Sequence, residues 1–191
     1  MIPHPELYVL RHGETEWNAQ GRLQGKFNSP LNARGRQQAA RQAEILAGID
    51  LTGFNILSSP QGRAVETAAI ALARQVDEVH TDSRLHEIGM GDWAGRLKSD
   101  LEAQGFIDAR AGESLDFYED APQGEGFAAL ETRCALFLAS LTVPSVLVTH
   151  GITSRMIRAI ATGKGRAAIA NMGGGQGVIY HVFNSVQKRL D

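Results

Sequence analysis

Two histidines in this chain share one local setting: each follows an apolar run and precedes a glycine. The first lies in Leu7-Tyr8-Val9-Leu10-Arg11-His12-Gly13 and the second in Val146-Leu147-Val148-Thr149-His150-Gly151. Neutral imidazole is a competent nucleophile near neutral pH. Arg11 adds a positive charge and a planar fork of donors beside the first ring, a shape that matches the oxygens of a phosphate ester. Attack on such an ester needs its negative charge neutralised first. Arg63, shortly after the apolar run Phe54 to Leu57, is placed to bring a second guanidinium from another strand end. Cationic neighbours disfavour imidazolium and keep the attacking nitrogen free. Taken singly, either histidine would as readily hydrogen-bond a loop, and Arg63 would sit on a solvated helix face. The chemistry rests on the combination: attack of His12 on phosphorus, with an anion held by arginines.

Those residues need elements to bring them together. Leu7 to Leu10, Phe54 to Leu57, Val146 to Thr149 and Val178 to Phe183 read as buried strands, with a weaker one at Glu78 to Thr81. Between them, Asn32 caps a helix running to about Ala47, with Ala39, Ala43 and Leu46 on one face. Ser58 or Ser59 caps the next helix, with Pro60 in its first turn and Ala64, Ala68, Ala71 and Leu72 as its apolar side. Phe127, Leu130, Cys134, Phe137, Leu138 and Leu141 follow helical spacing, and Ile152 to Thr162 forms a further helix. Alternating strands and helices predict a three-layer α/β/α fold with a mostly parallel central sheet. Ligands bind beyond the carboxyl ends of strands in such sheets, which is where both His-Gly pairs fall.

The 191 residues predict a single domain, 1–191. Apolar residues at 43% and charged ones at 21% are those of an ordinary soluble globular protein. A formal net charge of −2 gives no electrostatic case for nucleic acid or an anionic membrane surface. No apolar run approaches the ~18 residues that span a bilayer, and the first ten residues lack a signal-peptide pattern. Cys134 is the lone cysteine, so no intrachain disulfide forms; the expected compartment is the cytoplasm. His4, His80, His86 and His181 lack metal-ligand spacing, so no metal or other cofactor is expected. The expected partner is a small phosphorylated metabolite, and the chain is expected to be a monomer or homodimer.

Four blocks, in order, carry a resemblance. Arg11-His12-Gly13-Glu14-Thr15 leads to Trp17-Asn18, Gly21-Arg22-Leu23-Gln24-Gly25 and Ser29-Pro30-Leu31. Ser58-Ser59-Pro60-Gln61-Gly62-Arg63-Ala64 runs on to Thr67-Ala68. Leu85-His86-Glu87 precedes Gly91, Trp93 and Gly95, and Thr149-His150-Gly151 closes the set. Together they resemble the histidine phosphatase superfamily, the phosphoglycerate mutase-like group (branch 1), and imply its fold. The resemblance implies His12 as nucleophile, Arg11, Arg63 and His150 as the cationic and hydrogen-bonding cradle, and Glu87 as proton donor and later acceptor. It implies Asn18 and Gln24 near the phosphate, with Thr15 steadying the loop. Gly151 opens a helix whose N-terminus can face the anion together with His150. Turn formation is the competing reading for Asn18, Gln24 and Thr15, and packing for Trp93. The Gly173 to Gly175 run reads as a flexible loop.

The pattern is not followed everywhere. Asn28 stands where the family often has Asp, Ala94 where it often has Glu, and Gln61 where it often has Leu. After Gly95 the chain lacks the elements by which cofactor-dependent phosphoglycerate mutases retain a bisphosphorylated intermediate, so hydrolysis is the expected outcome. Ala121-Pro122-Gln123-Gly124-Glu125 is similar instead to the short alpha-ribazole phosphatase-like members. A phosphoglycerate mutase and a non-catalytic phosphate-binding module remain the competing functions. Residues 89–125 read as a lid-like insertion. Within them, residues 96–125 carry Arg96, Lys98 and Arg110 against Asp100, Glu102, Asp108, Glu113, Asp116, Glu119, Asp120 and Glu125, a net −5. Such a lid would repel polyphosphorylated substrates and favour a neutral or cationic remainder, unless these acids simply face solvent.

Overall fold

β1 (Leu7–Arg11) is buried over its first four residues on both faces, as a run with no polar alternation requires. Leu7 and Val9 enter one apolar cluster, and Tyr8 and Leu10 enter another on the opposite face. The computed structural model describes residues 4–108 and 114–191. β1 pairs in parallel with β4 (Ser145–Thr149), whose other edge pairs in parallel with β2 (Asn55–Ser58). β3, only His80–Thr81, extends the parallel set beyond β2. β5 (Ile179–Phe183) runs antiparallel to β1, and β6 (Val186–Leu190) runs antiparallel to β5. The sheet order is β3-β2-β4-β1-β5-β6.

Helices cover both faces. α2 (Ala33–Leu46) and α3 (Gly62–Leu72) pack with Tyr8, Leu10, Val146 and Val148. α6 (Gly126–Ala139) and α7 (Gly151–Ala161) pack with Leu7, Val9 and Leu147, together with Leu85, Ile88 and Trp93. The described residues also form the short α-helices α1 (Glu16–Ala19), α4 (Lys98–Ala103) and α5 (Phe117–Asp120). Trp93 is buried in the core, which settles it as a packing residue.

Several expectations shift. The side chain of Asn32 does cap α2, accepting from Gly35 N–H at 2.8 Å. α3 starts later than expected: its N-cap is Gln61, leaving Pro60 outside, and Ser59 Oγ instead accepts from Gln61 N–H at 3.3 Å. α1 and β6 were not anticipated. α1 is a single turn held by a capping box, in which Thr15 Oγ1 accepts from Asn18 N–H and Asn18 Oδ1 accepts from Thr15 N–H. β6 follows a two-residue turn at Asn184-Ser185, both with positive φ (48° and 62°), as tight hairpins require. Arg110 and Glu113, two of the charges assigned to the lid, lie outside the described residues.

Candidate active site

Parallel pairing puts the carboxyl ends of β1, β4 and β2 side by side, with Arg11 opposite Thr149 and Ser58 opposite Val148. The chain leaves β1 at His12, β4 at His150 and β2 at Ser59, so sheet register alone gathers residues far apart in sequence. His12 N–H donates to Thr149 O at 3.0 Å, tying the first His-Gly turn to the second strand. The two imidazoles face each other at a centroid distance of 5.1 Å. Close backbone approach is what Gly13 provides: a Cβ there would lie 2.2 Å from Gly35 O, and one on Gly35 would lie 2.0 Å from Glu14 O.

His12 is buried, with Nδ1 2.7 Å from Gly13 O. That carbonyl can only accept, so the proton sits on Nδ1 and the lone pair on Nε2. Nε2 accepts from Arg63 Nε–H at 3.3 Å, a long contact. Burial first, then Arg11 and Arg63, hold the His12 pKa well below the ordinary histidine range, only partly opposed by the Gly13 carbonyl. His150 is lowered well below that range too, by burial first and then by Arg63, His12 and Arg11. Its Nε2 lies 2.8 Å from Ser59 Oγ. Ser59 Oγ also accepts from Gln61 N–H at 3.3 Å, so this hydroxyl links His150 to the N-cap of α3. His150 Nδ1 is buried and has no partner.

The two arginines are held differently. Arg63 donates through Nη2 to Gly25 O at 3.0 Å and through Nη1 to Phe27 O at 2.6 Å, while its backbone N–H donates to Asn28 Oδ1 at 3.0 Å. Burial pulls its pKa down to about 10, with Glu87 opposing and Arg11 adding, so it stays charged at neutral pH. Arg11 lies against Gly151, where a Cβ would come 3.3 Å from its Cζ. Arg11 Nε is buried and unpartnered. Burial lowers its pKa, and Glu87 opposes that shift. An unpaired guanidinium nitrogen beside His12 is costly unless an anion arrives to accept from it.

Glu87 lines the same cavity as Arg11, His12 and Arg63. Its Oε1 accepts from Ile88 N–H at 3.0 Å, Thr153 N–H at 3.0 Å and Thr153 Oγ1 at 3.1 Å; its Oε2 accepts only from Ile152 N–H at 3.1 Å. The carboxylate therefore sits on the N-terminal turn of α7, and Oε2 keeps a lone pair for a proton.

Arg11, His12, Arg63 and Glu87 line one cavity of about 230 Å³. Asn18 and Gln24 line it as well. Gln24 Nε2 donates to Thr15 Oγ1 at 2.8 Å, and Gln24 Oε1 is buried without a partner. Thr15 is fully buried, its hydroxyl occupied by Asn18 and Gln24, so it supports the wall without forming it. Gly151 and His150 stand behind Arg11 and His12 and do not line the wall. Sequence reasoning missed Phe117, Tyr118, Arg22 and Lys98, which also line the cavity. Burial, then Glu87, push the Tyr118 hydroxyl up, so it keeps its proton and can donate. It missed Gln176 too, whose Nε2 donates to His12 O at 3.2 Å and Asn18 Oδ1 at 3.3 Å. Thus the residue just after the Gly173 to Gly175 run is tied to the backbone of His12.

Three acids of the lid-like segment are engaged locally. Glu125 pairs with Arg133 at 2.7 Å, Glu119 caps Phe127 N–H at 2.6 Å and Glu102 pairs with Lys98 at 3.4 Å. None of the described acidic residues of 96–125 lines the cavity, whereas Lys98 and Arg22 do. Among the described residues, no group of three or more His, Cys, Asp or Glu could hold a metal ion, and no helix is long and apolar enough to cross a membrane.

A neutral imidazole, two guanidiniums and a carboxyl group line one cavity, with a second imidazole behind it, and such a set is chemically suited to phosphoryl transfer. The sequence profile of the histidine phosphatase superfamily (branch 1) matches residues 7–183, and the chain belongs to that family. It is 38% identical over 154 residues to a probable phosphoglycerate mutase, GpmB, of Proteus mirabilis (strain HI4320), covering 77% of this chain and 70% of that one. Its fold is similar to a mycobacterial glucosyl-3-phosphoglycerate phosphatase solved with VO3 (TM-score 0.78, 30% identity, 98% of this chain and 97% of that one). It is also similar to the alpha-ribazole phosphatase of Shigella flexneri (TM-score 0.79, 28% identity, 97% and 94%).

Proposed function

We propose that this chain is a phosphomonoesterase of a small phosphorylated metabolite, working through a phosphohistidine on His12 and needing no metal ion. The observation that carries the reading is the state of the His12 ring: Nδ1 is engaged by Gly13 O, so Nε2 presents its lone pair beside Arg63. The monoester dianion enters against Arg11 and Arg63, and the long Arg63 contact to Nε2 gives way to a phosphoryl oxygen. His12 Nε2 attacks phosphorus as the ester P–O bond breaks, and the leaving oxygen takes the proton from Glu87 Oε2. Glu87, now a carboxylate, removes a proton from water. The hydroxide attacks phosphorus, the P–N bond breaks, and its electron pair returns to Nε2. The charge that a metal ion would neutralise is met here by two guanidiniums.

Hydrolysis, not return of the phosphoryl group to substrate, is supported by the missing mutase elements after Gly95. It is also supported by the two phosphatase structures, each matched over nearly its whole length. The name of the Proteus mirabilis relative favours the mutase as the second reading. Arg22 and Lys98 on the wall favour a substrate remainder bearing hydroxyls or a carboxylate over a cationic one.

Release of phosphate from p-nitrophenyl phosphate in EDTA, abolished in His12→Ala, tests the activity. Incubation with 3-phosphoglycerate plus bisphosphoglycerate separates the two readings. Phosphate release supports the phosphatase, and net isomerisation without it would replace the proposal by the mutase.

A further inference from the structure

Gln61, the N-cap of α3, bonds through its side chain to the backbone of Glu87 and to the loop that holds Arg63. Gln61 Oε1 accepts from Glu87 N–H at 2.9 Å. Gln61 Nε2 donates to Gly25 O at 3.0 Å and approaches Phe27 O at 3.4 Å. The amide orientation is dictated by its partners, since the N–H requires an acceptor and the carbonyls require a donor. Gly25 O and Phe27 O are the same two carbonyls that receive Arg63 Nη2 and Nη1. The backbone N–H of Gln61 donates to Ser59 Oγ, which bonds His150 Nε2 at 2.8 Å. One residue therefore connects the backbone of the acid, the loop that grips Arg63, and the serine behind His150.

The carboxylate of Glu87 is held from α7, through Ile152, Thr153 and the Thr153 hydroxyl. Its backbone is held from α3, through Gln61. These are separate anchors on opposite layers of the fold. An apolar side chain at 61 would leave the Glu87 N–H without this acceptor and uncouple Glu87 from the loop that carries Arg63.

We propose that Gln61 is a positioning residue for proton transfer, fixing the distance between Glu87 and the phosphoryl group held by Arg63 and His12. It does not line the cavity and acts through Glu87 and the loop that holds Arg63. Misplacing an acid matters most when the leaving oxygen is basic and least when it departs unaided. The signature of the role is thus a change in leaving-group dependence, which a purely structural role would not produce. The inference rests on Glu87 serving as the proton donor.

The test measures kcat/KM, which reports the steps through phosphoenzyme formation, for phenyl phosphate and p-nitrophenyl phosphate. Three variants are used: Gln61→Met, similar in length but without hydrogen bonds, Gln61→Asn, which keeps the amide but falls one methylene short, and Glu87→Gln. Glu87→Gln should lose about a hundredfold more on phenyl phosphate than on p-nitrophenyl phosphate. Gln61→Met and Gln61→Asn should discriminate in the same direction by about tenfold. Turnover of p-nitrophenyl phosphate shows in the same samples that the site is folded. Equal losses on both substrates in the Gln61 variants, with Glu87→Gln still discriminating, would overturn the positioning role alone. A Glu87→Gln enzyme that does not discriminate would overturn the proton-donor reading, and the inference with it.

Discussion

Burial and the two guanidiniums act on His12 in the same direction, disfavouring its charged form, so the ring is held neutral as the proposed attack requires. The positive charge that draws the phosphate resides on Arg11 and Arg63, not on the imidazoles. Arg11 Nε is still unpartnered, so its planar fork has a donor to offer. Arg11→Lys keeps the charge and loses the fork. Its kcat/KM for a phosphate monoester should fall about a hundredfold, and a loss under about threefold would mean that charge alone matters there. Arg11, His12, Arg63, Glu87 and His150 could be picked out in the sequence because the four ordered blocks that hold them resemble one family's motifs, and the fold brings these residues together. Tyr118 and Gln176 were not, because each reaches the site from a segment whose own pattern says nothing about where it folds. Gln61 was visible only as a departure, since the value of an amide there depends on Gly25, Phe27 and Glu87 arriving from elsewhere.

Elements place these residues through backbone contacts that tolerate no added atoms. The Gly13 turn leaving β1 presses on the first turn of α2, where Gly35 meets Glu14 O. Gly13→Ala would set a Cβ against backbone that cannot rotate away. It should cost about 3 kcal/mol or more, read as a lower midpoint in urea unfolding. A midpoint within error of the parent would refute this packing. The buried strands were readable because an apolar run ending abruptly in polar residues leaves few alternatives, and α2, α3, α6 and α7 because their apolar residues recur at helical spacing. β6 escaped because Val186–Leu190 is an edge strand with mostly exposed side chains, and its hairpin turn uses Asn-Ser in place of a glycine pair. α1 escaped because four residues carry no periodicity. Composition counts the acids of 96–125 without showing that Glu102, Glu119 and Glu125 are engaged by Lys98, Phe127 N–H and Arg133.

At the scale of the whole molecule, keeping two histidines neutral inside the fold makes stability depend on pH. The unfolded chain protonates them near the ordinary value of 6.5, whereas the fold holds both well below it. Below that value the unfolded state binds more protons, so stability is complete above it and is lost as the pH falls, by up to about 1.4 kcal/mol per pH unit per histidine. In phosphate-free buffer, Tm should drop between about pH 7 and pH 5, and the slope should flatten in the double variant His12→Asn, His150→Asn. A slope unchanged in that variant would remove these rings as the cause. The central claim, that the phosphoryl group passes through His12 Nε2, has a direct test. The enzyme is mixed with excess p-nitrophenyl phosphate and quenched in alkali within a turnover, because a phosphorylated imidazole survives base. Peptide mass analysis should then find one phosphoryl group on the peptide containing His12 and none in His12→Asn. Full turnover with a phosphoryl group on another residue, or with His12→Asn as active as the parent, would contradict it.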